Sequence, residues 1–287
     1  MRHKIYHTSY SLVPLFIVVT FTLPTLGTQA HAALLGPISE QTQEANTGLI
    51  LGFTETDQRY TEFPPVAGLP NPLDSQTGTI PGIELGYQNQ HSLIGWGIVF
   101  NVGHGTTTYQ GYRENLQTGA LTTDMVPTGN ITIGGHGWID VGFSPRALPA
   151  LSFAPGLLLG IHSWGRNNAN NPGGSNEVYG NGYVAVRLLT RYAYGPVVVG
   201  LTTDAGRAFH ASMQGGPDGG VFPLGDGPWD RVGLTVTYNM FSAASLFVSY
   251  SETMFRYGQS AVDANGYMEP SSRTINNQAE VGINAHL

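Results

Sequence analysis

Apolar side chains recur at every second position through ten stretches of this 287-residue chain, each bounded by turn-forming residues. They are Thr47–Thr54, Thr79–Gln88, Ser92–Asn101, Asn130–Phe143, Leu151–Ser163, Tyr179–Tyr192, Val197–Asp204, Trp229–Asn239, Ser245–Ser251 and Asn277–Leu287. A period of two puts the apolar residues on one face of a strand. The opposite face carries Gly, Thr, Ser, Asn and scattered charges, as in Glu280, Gly282, Asn284 and His286 of the last stretch. The alternation fits a barrel with lipid outside and a polar lumen, and also a soluble barrel with the faces exchanged.

Composition and spacing favour the first arrangement. Charged residues are 11% of the chain, about half the usual share of a soluble domain. The 39 glycines and a mean hydropathy of −0.07 do not describe a bundle of membrane helices. The connections alternate short and long. The short ones are Asn89–His91, Ser144–Ala150, Ala193–Pro196 and Met240–Ala244. The long ones, Glu55–Gly78, Val102–Gly129, Trp164–Val178, Ala205–Pro228 and Glu252–Asn276, are rich in Gly, Pro, Asn and Thr, as in Asn167–Ser175. Tyr87, Phe143, Phe153, Tyr192 and Tyr238 fall near the short turns, where a girdle of rings would meet lipid headgroups.

The N-terminus reads as an export signal. Arg2, His3 and Lys4 precede an apolar run from Leu12 to Leu26, and Ala30-His31-Ala32 is a small-x-small cleavage site. Cleavage at Ala32-Ala33 leaves ten Arg against nineteen acids, a formal charge of −9 that argues against a nucleic-acid partner. The expected organisation is a signal peptide over residues 1–32, a periplasmic lead-in over 33–46 and a barrel over 47–287.

The signal, the strands and the final VGINAHL resemble the Gram-negative outer-membrane β-barrel class, whose last strand is read by the barrel-assembly machinery. The usual terminal Phe is replaced by Leu287. The resemblance implies an all-β, closed antiparallel transmembrane barrel of about ten strands. Short turns would face the periplasm and long loops the outside, in contact with lipid and lipopolysaccharide. It identifies no single family.

Strand parity and a rise of about 3.3 Å per residue place Glu84, His136, Arg187, Asp204, Arg231 and Glu280 in one inward charged layer. Glu280 is expected to meet Arg231 or Arg187. Such a layer either pairs its charges and closes the lumen, or forms a constriction selecting small solutes or ions. Inward glycines such as Gly97, Gly160 and Gly282 favour open space. Ten strands lie between a filled lumen and a channel. The function expected first is a porin-like narrow passive pore. The alternative is a closed structural or adhesive barrel acting through its loops, and an outer-rim hydrolase comes third.

No catalytic, cofactor or metal site is expected. His162 and Ser163 are adjacent and so face opposite ways on a strand, unlike the His/Ser pair of outer-membrane lipid A deacylases. Asp204 and His210 flank a loop start. The chain resembles omptin-type proteases in strand number but lacks their Asp and Asp–His motif. His104, His162 and His210 lack metal-ligand spacing, and Asp218, Asp226 and Asp230 fit no calcium loop.

Overall fold

The computed structural model describes residues 34–65, 68–91, 93–114, 121–167, 176–215, 220–264 and 268–286. The expected signal peptide and Asn168–Ser175 lie outside the described residues. Ten long strands carry the fold: β1 (Gly48–Phe63), β2 (Asp74–His91), β3 (Ile94–Glu114), β4 (Leu121–Val141), β5 (Leu151–Asn167), β6 (Asn176–Tyr194), β7 (Val197–Gly215), β8 (Gly227–Phe241), β9 (Ala244–Tyr257) and β10 (Ser271–Ala285). Each pairs antiparallel with its sequence neighbours, and β10 pairs with β1, as in Val281 opposite Phe53. The ten long strands therefore close into a ring, and a short strand, Gly220–Pro223, pairs along the end of β7.

The outward faces form an apolar belt. Leu51, Leu85, Phe100, Ile133, Leu159, Val186, Leu201, Leu234, Val248 and Val281 are all exposed. Water would not tolerate this contiguous band, and hydrocarbon requires it. Tyr87 packs on Trp96 at 5.4 Å and Phe143 on Phe153 at 6.0 Å near the short-turn end.

The strands run well past the belt. On β3 the outward aliphatic residues end at Val102, yet the strand continues to Glu114. Those twelve residues add roughly 40 Å of strand, or roughly 28 Å of height at a ~45° tilt. The segments read from sequence as the start of long loops are here a barrel extension. Above the belt the exterior meets water, so Glu55, Asp57 and Arg59 point outward while Thr56, Gln58 and Tyr60 point inward. With both faces polar, the apolar alternation disappears although the strand persists.

A short helix, α1 (Glu40–Ala45), lies beneath the short-turn mouth. Ser39 caps it, its Oγ accepting from Thr42 N at 3.3 Å. Asn284 Nδ2 donates to Thr47 O at 3.0 Å, and Asn239 Nδ2 to Gln41 O at 3.1 Å. Ala45 packs on Ala193 and Val198. Upstream, Leu35–Gly36 pairs with Ser144–Pro145 beside the short turns.

Candidate functional site

Among the described residues, two cavities lie in the lumen and meet at a charged layer. The lower one, about 200 Å³, rises from Ala45 and Asn46 to Glu84, His136 and Arg231. The upper one, about 120 Å³, shares those three residues and extends to Gln58, His162 and Phe255.

The layer has two halves. Arg187, Asp204 and Arg231 sit directly opposite one another across β6, β7 and β8. Arg187 Nε is 3.2 Å from Asp204 Oδ1, and Arg231 Nε donates to Asp204 Oδ2 at 2.7 Å. The Arg231 guanidinium also lies 3.5 Å from His136 Nε2, and Arg187 stacks 4.7 Å above the Trp138 ring. In the other half, Glu280 meets the side chain of Glu84 and accepts from Ser249 Oγ at 3.2 Å. Gly52 makes this approach possible, because a Cβ there would lie 2.0 Å from Glu280 Oε1. The six residues thus share one level. The expected partner of Glu280 is not what the structure places beside it: Asp204 engages both arginines, and Glu280 lies with Glu84.

The inward glycines do not open a channel. A Cβ on Gly97 would strike the Trp138 ring at 2.4 Å, and one on Gly160 would strike Tyr183 at 2.3 Å. Each glycine is the bed of a neighbour's ring.

Above the cavities the lumen is filled. Tyr60, Trp164 and Tyr179 are at most 1% exposed and pack at 5.0 to 5.7 Å. In the wall of the upper cavity itself, Tyr183 stacks on Trp229 at 4.4 Å. Arg166 lies among Tyr60, Tyr109, Trp164 and Tyr179, between 5.3 and 5.7 Å from each ring. It pairs with Glu177, and its Nη2 donates to Glu62 Oε1 at 3.4 Å. Tyr60 donates to Glu62 at 2.7 Å and Tyr179 to Glu269 at 2.6 Å. Burial pushes the Glu62 carboxyl well above the usual carboxylate range against the pull of Arg166. Burial also raises Glu269 to about 7, while its bond from Tyr179 works the other way.

This outer cluster escaped the sequence reading, which assigned Glu62, Arg166, Glu177 and Glu269 to loops. The available signal was inward parity: Ile50, Gly52, Thr54, Thr56, Gln58, Tyr60 and Glu62 continue one face without a break.

The rim candidates do not assemble. His162 points into the upper cavity with its ring 5.2 Å from Phe255. His210 sits at a bulge with φ 49° and is exposed, away from the buried Asp204. Among the described residues no group of three His, Cys, Asp or Glu is arranged to hold a metal.

No protein-family model matches the chain, and no characterised protein sequence does. Solved structures do match. The outer-membrane protease OmpT of Escherichia coli is 12% identical, covering 84% of this chain and 96% of its own, with a TM-score of 0.53. The β domain of the Bordetella autotransporter BrkA is 12% identical over 84% of this chain and 100% of its own, with a TM-score of 0.39. The Yersinia pestis attachment protein Ail is 8% identical over 84% and 98%, with a TM-score of 0.29. The fold and its apolar belt define an outer-membrane β-barrel of ten strands. At 12% identity the likeness to OmpT is one of fold alone.

Proposed function

We propose that the chain is a closed outer-membrane barrel that holds a rigid extension above the membrane and acts through that extension's strands and loops. The observation that carries this reading is the aromatic cluster of Tyr60, Trp164 and Tyr179, buried across the lumen. Helix α1 beneath the opposite mouth adds to it. In this reading the chain is exported by cleavage after Ala32, inserted by the barrel-assembly machinery and surrounded by lipopolysaccharide in the outer leaflet. It is assigned no reaction: Asp204 is engaged by two arginines, and His210 faces away from it.

Planar-bilayer recording tests the closure. The purified chain should give no discrete conductance steps, and reproducible steps from the unaltered protein would refute it. A gated conduit for small solutes or ions is the second reading, favoured by the two cavities that meet at Glu84, His136 and Arg231. That reading expects steps once Arg231→Ala opens the shared wall.

A further inference from the structure

The lower cavity is polar in a directional way. Glu84 on β2 and Glu280 on β10 form one wall. Arg187 and Arg191 on β6 form another, four strands away around a ten-strand ring in either direction. Asp204 beside Arg187, and the buried Asp140 near Arg191 and Arg187, satisfy only part of the basic wall. Arg187 is 7% exposed, its Nη1 has no hydrogen-bond partner, and its guanidinium is held flat over Trp138. A buried guanidinium with an unused donor is costly unless something accepts from it. Two carboxyl groups in contact likewise favour a cation or proton between them. Gly200 and Gly233 line the same cavity, and a Cβ on Gly200 would find nothing nearer than 3.7 Å, so the space between the walls is open.

We propose that this cavity binds a small zwitterion of amino-acid type, its ammonium on Glu84 and Glu280 and its carboxylate on Arg187 and Arg191. One molecule with both charges satisfies the two walls at once, which neither a simple cation nor a simple anion does. The volume of about 200 Å³ suits a ligand of only a few heavy atoms. The inference is independent of whether the barrel conducts.

The test uses the full exported chain in detergent micelles and titrates it calorimetrically with ω-amino acids from glycine to 6-aminohexanoate. Butyrate, butylamine and sodium chloride at matched ionic strength are the controls. One chain length should bind saturably, at least tenfold more tightly than either singly charged control. Tryptophan fluorescence should change with the same saturation curve, and the change should vanish in Trp138→Phe. Glu280→Gln should remove the preference for the zwitterion over butyrate. Gly200→Val fills the cavity beside the aliphatic stem of Arg191, removes no charge, and should weaken binding at least tenfold. If no ω-amino acid outbinds both controls on the unaltered protein, the proposal fails whatever the variants do. It fails equally if Gly200→Val leaves the affinity unchanged.

Discussion

Glu269 makes the outer cap sensitive to pH. It reaches the cluster from the segment between β9 and β10, and two bonds hold it there: Ser260 N donates to Glu269 O at 3.0 Å, and Ser260 Oγ accepts from Glu269 N at 2.8 Å. Burial lifts its carboxyl from near 4.5 to about 7. The docked segment therefore prefers the protonated acid, and the opened segment, exposed to water, releases that proton more readily. The stabilisation is whole below about pH 4.5 and is lost as pH rises to about 7, costing about 3 kcal/mol at 1.36 kcal/mol per pH unit. The opening constant of the cap should rise roughly a hundredfold between pH 4.5 and 7.5. Hydrogen exchange at the Ser260 and Glu269 amides, corrected for the intrinsic pH dependence of exchange, reads this directly. Glu269→Gln should remove most of the rise and leave Glu62 as the remaining source. An opening constant flat with pH, or one that rises equally in Glu269→Gln, would refute the reasoning.

Three further outcomes follow from the layer and the topology. Asp204→Ala leaves two buried guanidiniums unpaired and should cost 3–5 kcal/mol by urea unfolding in micelles, roughly the loss seen for broken buried pairs; replacing Asp204, Arg187 and Arg231 together by apolar residues should recover most of it. Gly52→Ala drives the Glu280 carboxyl off Glu84 and should cost about 1 kcal/mol, an effect that disappears in a Glu280→Ala background. A cysteine placed at Gly173, outside the described residues, should be labelled on intact cells, whereas one at Arg146, whose Nε donates to Leu35 O at 3.2 Å beside the short turns, should be protected.

The belt was legible because lipid and lumen demand opposite side chains on the two faces of every strand. The row Arg187–Asp204 was legible for a related reason. Both positions lie equally far from the tight turn at Gly195-Pro196, so the hairpin fixes their register. Arg231 reaches Asp204 across a long connection that fixes no register, so only its height could be read. The level of Glu280 is as expected, and its partner differs because the side chain leans diagonally over Gly52 rather than straight across the ladder. That direction depends on a side-chain torsion and on the missing Cβ of a neighbouring strand, and no pattern within β10 records either.

Whether the lumen is open was harder to read than its charge, and the glycines explain why. Read strand by strand, Gly97, Gly160 and Gly282 are vacancies. Read as cross-strand neighbours, they are the places where Trp138, Tyr183 and Phe247 lie down. A ten-strand barrel is too narrow for large rings to face each other from every strand, so one strand gives up its Cβ where the next carries a ring. Glycine and aromatic content therefore rise together in the lumen with no gain in open volume. Openness belongs to pairs of residues on different strands. For this chain Gly97–Trp138, Gly160–Tyr183 and Gly282–Phe247 face each other on consecutive strands across long connections that fix no register, and only closure of the barrel brings Gly52 and Glu280 together.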